Sequence, residues 1–349
     1  MMTEDQGNRA NPITDPPHPI VDVEDLSVKF VSREATVYAV NGVSFRLMPG
    51  EVLSVIGESG SGKSVSMRAL MRLLPDKAHI AGKVSVAGRD VLSMTKPQLT
   101  AMRGRDVSMI FQEPMTALDP VYTIGDQICE TILRHEPVGH DVAMKRALDL
   151  LEFVRVPSAE RRLKSYPFEL SGGLRQRAMI AMALSCSPKL LLADEPTTAL
   201  DATVQIQVLI LLRKLQKEMG MGMIFVTHDL SVAAQVADKI AVMYAGQIVE
   251  MGTVRDVLRD PQHPYTQGML ASTVHGQDRG KDIPAIPGSP PDMRLRVAGC
   301  KFAPRCPQVS EACLVSEPPQ VALGGDRYAR CILPDPSRDP INQPQKVSA

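Results

Sequence analysis

The sequence predicts an α/β domain with a largely parallel central sheet, because short apolar strands alternate with helices along most of the chain. Residues 51–57 (EVLSVIG) are typical of a buried strand that leads into a glycine- and serine-rich loop, and 64–74 then show helical periodicity up to Pro75. Residues 189–196 (KLLLADEP) predict a second buried strand, and the amphipathic segment 201–220 follows it.

Further strands and a helical lobe complete the predicted domain. Alternating apolar residues over 21–30 indicate an early strand, 105–111 and 222–229 each predict one buried strand, and 239–252 predicts two more. Between about 121 and 190 the periodicity is mostly helical, which indicates a separate lobe.

The chain divides into three predicted parts. Residues 1–19 are polar and rich in proline, which is typical of a disordered leader. Residues 20–274 hold the α/β domain. Residues 275–349 contain twelve of the 28 prolines and few periodic segments, so we expect a small, irregular C-terminal extension.

Composition argues against several classes of protein. Lys plus Arg and Asp plus Glu each number 39, so the formal net charge is zero, whereas a nucleic-acid-binding protein would usually be basic. The start has no basic segment followed by an apolar one, and no apolar run is long enough to cross a bilayer. We therefore expect no signal peptide, six cysteines without disulfides in a reducing cytosol, and membrane association only through a partner.

The segment GESGSGKS (57–64) fits the phosphate-loop pattern G-x-x-x-x-G-K-[ST], with a predicted strand before it and a helix after it. The glycines would let backbone N–H groups wrap the phosphates of ATP, Lys63 would reach the β- and γ-phosphates, and Ser64 would bind Mg²⁺. A chance glycine-rich turn is the alternative, but it does not explain the flanking strand and helix. The loop residues predicted to bind ATP are Gly57, Glu58, Ser59, Gly60, Ser61, Gly62, Lys63 and Ser64.

Two carboxylates follow the strand LLLADE (190–195). Asp194 is predicted to hold Mg²⁺, directly or through water, and Glu195 to polarise the attacking water. As an alternative, either acid alone could cap the next helix, but a phosphate loop with Mg²⁺ requires a carboxylate at a strand end.

The segment LSGGLRQR (170–177) indicates a second anion site. Ser171, Gly172 and Gly173 precede an apolar helical run, and the open start of a helix carries unpaired N–H groups that favour an anion. Three other polar or aromatic residues have ordinary explanations when taken singly, namely core packing or a polar strand end. They are Tyr38, Gln112 and His228.

The order of these motifs resembles the ATP-binding cassette (ABC) superfamily over about residues 20–255. The order is Tyr38, GESGSGKS, Gln112, LSGGLRQR, LLLADE, ALD (199–201) and His228. The resemblance implies a P-loop NTPase cassette with a mixed core sheet, flanking helices, an antiparallel β part and a helical subdomain at about 121–190. The segment LSGGLRQR (170–177) corresponds to the signature segment of this superfamily. Its fifth residue, Leu174, departs from the glutamine that is commoner there.

The resemblance also implies roles for single residues. Tyr38 would stack on adenine, Gln112 would sense the γ-phosphate and bind Mg²⁺ with Ser64 and Asp194, and His228 would hold the γ-phosphate. The resemblance also places Asp201, the last residue of the ALD segment, among the nucleotide-binding residues. The residues predicted to take part in catalysis are Glu195, His228 and Lys63.

One cassette per chain implies a dimer. In cassettes of this superfamily two domains pair head to tail, and the Ser-Gly-Gly of one contacts the ATP bound to the other. Ser171, Gly172 and Gly173 would therefore serve the ATP of a second ATPase subunit, either a second copy or a paralogue, with a paralogue preferred. ATP binding would close the pair and hydrolysis would release it.

The C-terminal motifs resemble the ATPase subunits of bacterial dipeptide and oligopeptide importers. They are HPYTQGML (263–270), IPGSPP (286–291) and the cysteine pattern of 300–331. The resemblance implies an energy-coupling ATPase, peripheral on the cytoplasmic face of the inner membrane. Its partners would be two transmembrane permease subunits and a periplasmic or lipid-anchored solute-binding protein.

Several other functions compete with that of a peptide importer. Nickel and glutathione importers have closely related ATPases. Soluble cassettes acting on DNA carry a long coiled coil between the motifs, for which Lys63 and Ser171 are too close, and cassettes acting on the ribosome occur in pairs within one chain. A structural or redox-sensing protein that only binds nucleotide would not need the catalytic residues named above.

Four cysteines lie in the C-terminal extension with the spacing C-x₅-C-x₆-C-x₁₇-C. Wide spacing suits a [4Fe–4S] cluster, and related importer ATPases resemble this chain in carrying one, whereas structural zinc usually uses a closer pair. Zinc and free thiols are the alternatives. Cys129 and Cys186 are interpreted as buried thiols in helical segments. The predicted ligands are Cys300, Cys306, Cys313 and Cys331.

Overall fold

The computed structural model describes residues 18–198, 200–272 and 285–333. The strands are β1 (Val21–Val31), β2 (Thr36–Leu47), β3 (Val52–Ile56), β4 (Ala78–Val86), β5 (Arg89–Asp90), β6 (Val107–Ile110), β7 (Leu190–Asp194), β8 (Gly222–Thr227), β9 (Lys239–Tyr244), β10 (Gln247–Thr253), β11 (Gln320–Ala322) and β12 (Tyr328–Arg330). The helices are α1 (Lys63–Leu70), α2 (Lys96–Met102), α3 (Pro114–Ala117), α4 (Ile124–His135), α5 (His140–Phe153), α6 (Ala159–Leu163), α7 (Gly172–Leu184), α8 (Ala202–Met219), α9 (Leu230–Val236), α10 (Val254–Arg259), α11 (Pro264–Ala271) and α12 (Glu311–Val315).

The central sheet has the order β11-β12-β10-β9-β3-β8-β7-β6 within the described residues. Five of these strands run parallel to one another, from β9 to β6, and β10 pairs antiparallel with β9. The parallel strands are short apolar runs that are buried along nearly their whole length, as expected for a sheet covered on both faces. The predicted mixed core sheet is confirmed.

A second sheet is antiparallel, in the order β2-β1-β4-β5. The alternating apolar residues of β1 are buried, and they pack in one hydrophobic core with residues of α1 and the central sheet. Alternation predicts one buried and one exposed face, which the structure has. This sheet is the antiparallel β part that the family resemblance implies.

Helices α4 to α7 form the predicted helical lobe. Thr123 begins α4 by accepting a hydrogen bond from the Asp126 N–H at 3.2 Å. Ile128 and Leu151 of the lobe belong to the same buried cluster as Phe225 of β8, so the lobe packs on the central sheet. Helix α7 leads directly back to β7, and thus its start is fixed relative to the carboxylates that end that strand.

Two predicted features differ from the structure, namely the end of α1 and the placement of Cys186. Helix α1 ends at Leu70, four residues before 74, because the backbone turns there and Arg72 takes a left-handed φ of 48°. Cys129 is buried in α4 as predicted, but Cys186 lies in the turn after α7 and is only half-buried.

The C-terminal extension is less irregular than its prolines indicate. Strand β12 pairs antiparallel with β10, with Ala329 opposite Glu250 and Tyr328 opposite Met251, and β11 pairs with β12. The extension therefore adds two strands to the central sheet. Proline lacks the backbone N–H that a sheet hydrogen bond needs. Neither β11 nor β12 contains a proline, so both can pair.

Several predictions fall outside the described residues. They concern the leader up to residue 17, Ala199 of the ALD segment, 273–284 and 334–349. Within the described ranges, every helix is too short or too polar to cross a bilayer.

Candidate ATP site

The phosphate loop, residues 57–64, connects β3 to α1 and depends on its glycines. Gly57 has φ 154° and a Cβ there would lie 2.0 Å from the Met243 carbonyl oxygen. Gly62 has φ 98° and a Cβ there would lie 2.4 Å from the Ala39 carbonyl oxygen. Side chains at either position would collide with backbone, so the curled loop requires glycine. Ser61 Oγ is buried and has no hydrogen-bond partner among the described residues, as expected where a polar ligand completes the site.

Lys63 lies across its own loop. Its Nζ donates to the carbonyl oxygens of Gly57 at 2.8 Å and Glu58 at 2.9 Å. Burial lowers the pKa of Lys63, while the carboxylates of Glu195 and Asp194 act in the opposite direction. A buried ammonium held by two carbonyl oxygens is well suited to a polyanionic ligand, which would offer it full negative charges.

Ser64 and Asp194 meet where β7 ends beside α1. Ser64 Oγ donates to Asp194 Oδ1 at 2.7 Å, and the carboxyl group is almost completely buried. Burial raises the pKa of Asp194, opposed by the Ser64 hydrogen bond and by Arg68. A hydroxyl and a carboxylate are hard oxygen ligands of the kind Mg²⁺ prefers, so this pair fits the ion.

Glu195 is held in an unusual backbone conformation, with φ 46° and its N–H donating to the Val226 carbonyl at 3.1 Å. Its Oε2 accepts hydrogen bonds from Gln112 Nε2 at 3.2 Å and Thr198 Oγ1 at 3.0 Å. His228 Nδ1 lies 3.6 Å from the same oxygen. The structure thus gathers Gln112, Glu195 and His228 from three strand ends. Thr198 was missed because a threonine after a strand carries no distinctive sequence signal.

The signature segment is built differently. Ser171 is the N-cap residue of α7 without a capping hydrogen bond from its side chain, and Ser171 and Gly172 are exposed. Within the described residues, no hydrogen bond joins 171–173 to the phosphate loop. A Cβ on Gly173 would lie 2.8 Å from Val204 Cγ1 of α8, so this glycine allows a close helix approach.

Two predicted nucleotide-binding residues have structural partners. Asp201 caps α8 by accepting a hydrogen bond from the Val204 N–H at 3.0 Å. The Tyr38 ring has the guanidinium carbon of Arg296 4.4 Å from its centroid, and the Tyr38 N–H donates to the Met293 carbonyl at 2.9 Å. Both Tyr38 partners belong to the C-terminal extension, and Tyr38 borders a cavity of about 460 Å³ beside it.

Two further residues contact the phosphate loop, and the sequence motifs assign this role to neither of them. Arg305 binds the side chain of Glu58, and the Tyr265 hydroxyl accepts a hydrogen bond from the Glu58 N–H at 3.1 Å. A carboxylate inside a loop that binds phosphates was the available signal, because it calls for a nearby cation.

The four cysteines of the extension are near one another but do not form a closed site. The Cys300 N–H donates to the Cys313 carbonyl at 2.7 Å, and burial raises the pKa of the Cys300 thiol, with Cys313 and Cys306 adding to the rise. All four are free thiols. Across the described ranges, no group of three or more His, Cys, Asp or Glu side chains is arranged to hold a metal ion.

Comparisons with known protein families agree with this geometry. The ABC transporter family model matches residues 40–198, and the model of the oligopeptide/dipeptide transporter C-terminal region matches 249–313. The chain is 44% identical over 95% of its length to the oligopeptide transport ATP-binding protein OppD of Bacillus subtilis, covering 93% of that protein. It is also 44% identical to the OppD protein of Salmonella typhimurium, covering 91% of this chain and 95% of that one.

A solved structure provides an independent comparison. The ATP-binding cassette MJ0796, described as a dimeric post-hydrolysis state bound to ADP and Pi, superimposes with a TM-score of 0.61 at 29% identity, covering 67% of this chain and 99% of that one. Both the sequence and the fold therefore lead to one assignment. The chain belongs to the ABC transporter ATPases, in the family of oligopeptide and dipeptide transport ATP-binding proteins.

Proposed function

We propose that this chain binds ATP with Mg²⁺ on residues 57–64 and hydrolyses it with Glu195 as the general base. The observation that carries the proposal is the 2.7 Å hydrogen bond between Ser64 Oγ and Asp194 Oδ1. This hydrogen bond joins the phosphate loop to the end of β7. There, Mg²⁺ would need a hydroxyl and a carboxylate close together. Bound Mg²⁺ would neutralise negative charge on the phosphates.

The side chains around Glu195 support its role. Lys63 would exchange two carbonyl partners for phosphate oxygens, which stabilises the triphosphate. Glu195 is oriented by hydrogen bonds from Gln112 and Thr198, so its carboxylate can accept a proton from an attacking water. His228 Nδ1 lies near Oε2 of Glu195, and the His228 side chain is mostly exposed. Its position therefore suits contact with a terminal phosphate.

The exposed start of α7 supports a dimer of cassettes. Ser171, Gly172 and Gly173 present an open helix end without a hydrogen bond to this chain's own phosphate loop. The structural relative MJ0796 is described as dimeric. A second ATPase subunit, a paralogue or another copy, would bring its ATP to this end, and this chain's ATP would meet the partner's signature segment.

Peptides are the proposed transported substrate. The relatives reported above are named for oligopeptide transport, another in Bacillus subtilis is named for dipeptide transport, and the C-terminal family model carries the same description. The chain would dock on two transmembrane permease subunits at the cytoplasmic face of the inner membrane, and a solute-binding protein would deliver the peptide. Nickel and glutathione remain the competing substrates, and a soluble cassette function is the more distant alternative.

The experiment that tests this function is reconstitution. The chain is purified with the permeases and binding protein of its own operon and placed in proteoliposomes with ATP inside. We expect uptake of labelled di- or oligopeptide that stops with Lys63→Ala. Uptake of nickel or glutathione without peptide would contradict the substrate, and ATPase activity independent of the permeases and peptide would contradict the importer.

A [4Fe–4S] cluster on the four C-terminal cysteines is a separate proposal. Its support is their spacing and the hydrogen bond from the Cys300 N–H to the Cys313 carbonyl, while the described residues show no group of three or more side chains arranged for a metal ion; zinc and free thiols are the alternatives. Anaerobic purification with metal analysis and visible absorption decides among them. A brown protein with iron and sulfide supports the cluster, whereas a colourless protein, with zinc or without metal, rules it out.

A further inference from the structure

A buried arginine of the C-terminal extension contacts the phosphate loop. Arg305 ends a short 3₁₀ helix, Ala303–Arg305, and its Nη1 donates to both carboxylate oxygens of Glu58, at 3.1 and 2.9 Å. Only 6% of the Arg305 side chain is exposed. The Glu58 side chain is half-buried, so removal of Arg305 would leave a partly desolvated carboxylate without its partner charge.

The same loop residue is held by its backbone. The Glu58 N–H donates to Tyr265 Oη at 3.1 Å, and Arg305 Nη1 also donates to Tyr244 Oη at 3.3 Å. The Tyr244 and Tyr265 rings lie 4.6 Å apart, and Phe302 packs against both. Glu58 is therefore held at its backbone by Tyr265 and at its carboxylate by Arg305. The aromatic cluster beside it is formed by residues of β9, α11 and the extension.

Glu58 also matters electrostatically. Its carboxylate is close enough to Lys63 to favour the charged form of that ammonium. The same carboxylate would repel a triphosphate bound to the loop, because like charges at short range destabilise each other. Arg305 is placed to neutralise it, so the arginine both orients the loop and cancels an unfavourable charge.

Arg305 connects this ion pair to the rest of the extension. Its Nε donates to the Pro287 carbonyl at 2.8 Å and its Nη2 to the Ile286 carbonyl at 3.4 Å. The next residue is Cys306, whose N–H donates to the Ala303 carbonyl at 3.2 Å. The turn that presents the guanidinium is therefore continuous with the cysteine-bearing segment.

We propose that Arg305 is a positioning residue for ATP, through which the C-terminal extension sets the nucleotide affinity of the phosphate loop. Arg305 acts through Glu58, with Tyr265 as the second hold on the loop. This inference rests on the assignment of residues 57–64 to ATP.

The test is a double-mutant cycle on the full chain, with ATP and Mg²⁺ titrated by calorimetry. Arg305→Met keeps the length of the side chain and removes its charge, and we expect about tenfold weaker ATP binding, in the range of couplings between residues in contact. Adding Glu58→Gln should restore most of the affinity, because the uncompensated carboxylate is then gone. Arg305→Lys, which keeps the charge, should be intermediate.

Steady-state kinetics separate positioning from a general structural role. For Arg305→Met within the reconstituted transporter, KM for ATP should rise while kcat stays within about twofold, since the lost interaction acts on binding alone. A fall in kcat at saturating ATP, or no recovery of affinity with Glu58→Gln, would overturn the proposal.

Arg327→Met is the matched control. Arg327 is a similarly buried arginine of the same extension, paired with Asp260 at 2.8 Å rather than with the phosphate loop. ATP affinity should be unchanged in this variant, and a loss equal to that of Arg305→Met would show a structural effect only. Lys63→Ala checks the site itself: if it abolishes binding while Arg305→Met does not weaken it, the inference fails and the ATP site stands.

A milder variant covers the case in which Arg305→Met does not fold. Tyr265→Phe deletes only the hydroxyl that accepts the Glu58 N–H, and the ring stays packed. We expect ATP binding to weaken by about fivefold, the cost of roughly one hydrogen bond. Unchanged affinity in a folded Tyr265→Phe protein would contradict the proposal.

Discussion

The phosphate loop and the start of α7 both combine glycines with the beginning of a helix, but their polar groups are satisfied to different degrees. Lys63 and Ser64 have partners within the chain, at 2.7 to 2.9 Å, and the loop is fixed from outside by Arg305 and Tyr265. Ser171 is exposed and its side chain caps nothing. The loop is thus a preorganised site, whereas the start of α7 would become a site only in the proposed dimer, where the ATP of a second ATPase subunit completes it.

The strongest effect is expected at the proposed catalytic base, Glu195. Glu195→Gln removes the base and keeps a side chain of the same shape, so ATP should still bind while kcat falls by about 10²- to 10⁴-fold. Phosphate release and nucleotide binding are measured in parallel on the reconstituted transporter. Glu152→Gln, at an exposed position of α5, is a control that should hydrolyse normally. Near-normal turnover by Glu195→Gln would exclude the assigned base.

The next prediction separates the two segments directly. Lys63→Ala should weaken ATP binding to the isolated chain by about 10- to 100-fold, because a buried charged hydrogen-bond donor to phosphate is lost. Ser171→Arg places bulk and positive charge at the exposed helix start and should leave that affinity unchanged, while ATP-dependent association of cassettes disappears. Calorimetry and light scattering measure the two quantities. Equal losses of ATP affinity in both variants would show that the α7 end serves its own chain.

Acidification should weaken the segment that holds the phosphate loop. His263 is buried, its Nδ1 accepts the Tyr265 N–H at 3.0 Å, and burial lowers its pKa from 6.5 to about 3. Between these values the unfolded chain binds more protons, so stability present above pH 6.5 is lost as the pH falls. From pH 7.5 to 5 the loss is about 2 kcal/mol.

The measurement is denaturant unfolding at pH 7.5 and pH 5, with His263→Asn as the matched variant. Asparagine keeps a capping acceptor but does not titrate, so the variant should lose about 2 kcal/mol less than the parent on acidification. Identical pH dependence in both proteins would exclude His263 as the source.

The smallest effect is expected at Asp201. Its carboxylate caps α8, so Asp201→Ala should cost about 1 kcal/mol of stability and leave ATP affinity of the isolated chain unchanged. Asp201→Asn, which still caps, should restore the stability. A large loss of ATP binding in both variants would instead place this residue in the nucleotide site.

The parts of the site predictable from sequence are those that local chain order determines. A strand, a glycine loop and a helix in succession predict the phosphate loop, and apolar strands that end in acids predict Asp194 and Glu195, because parallel strands bring their carboxyl ends to one edge of a sheet. The convergence of Gln112 and His228 on one oxygen of Glu195 required the family motif order as well.

Other features depend on long-range contacts that periodicity does not report. The Arg305–Glu58 pair joins residues 247 positions apart. Strand β12 has only three residues, and its proline-rich surroundings hide the pairing with β10. Asp201 shows the reverse. The motif order predicts it near ATP, and the structure shows a short-range hydrogen bond with which it caps α8.

The pairing of β12 with β10 has a consequence for any shortened form of this protein. Strand β10 is buried along almost its whole length, and β12 is its neighbour on the side away from β9. A chain cut at residue 274 would leave the edge of β10 around Glu250 and Met251 without its partners in β12, and an uncovered strand edge is a template for edge-to-edge association. We expect such a fragment to self-associate or precipitate, and the C-terminal strands thereby act as protection against aggregation for the cassette.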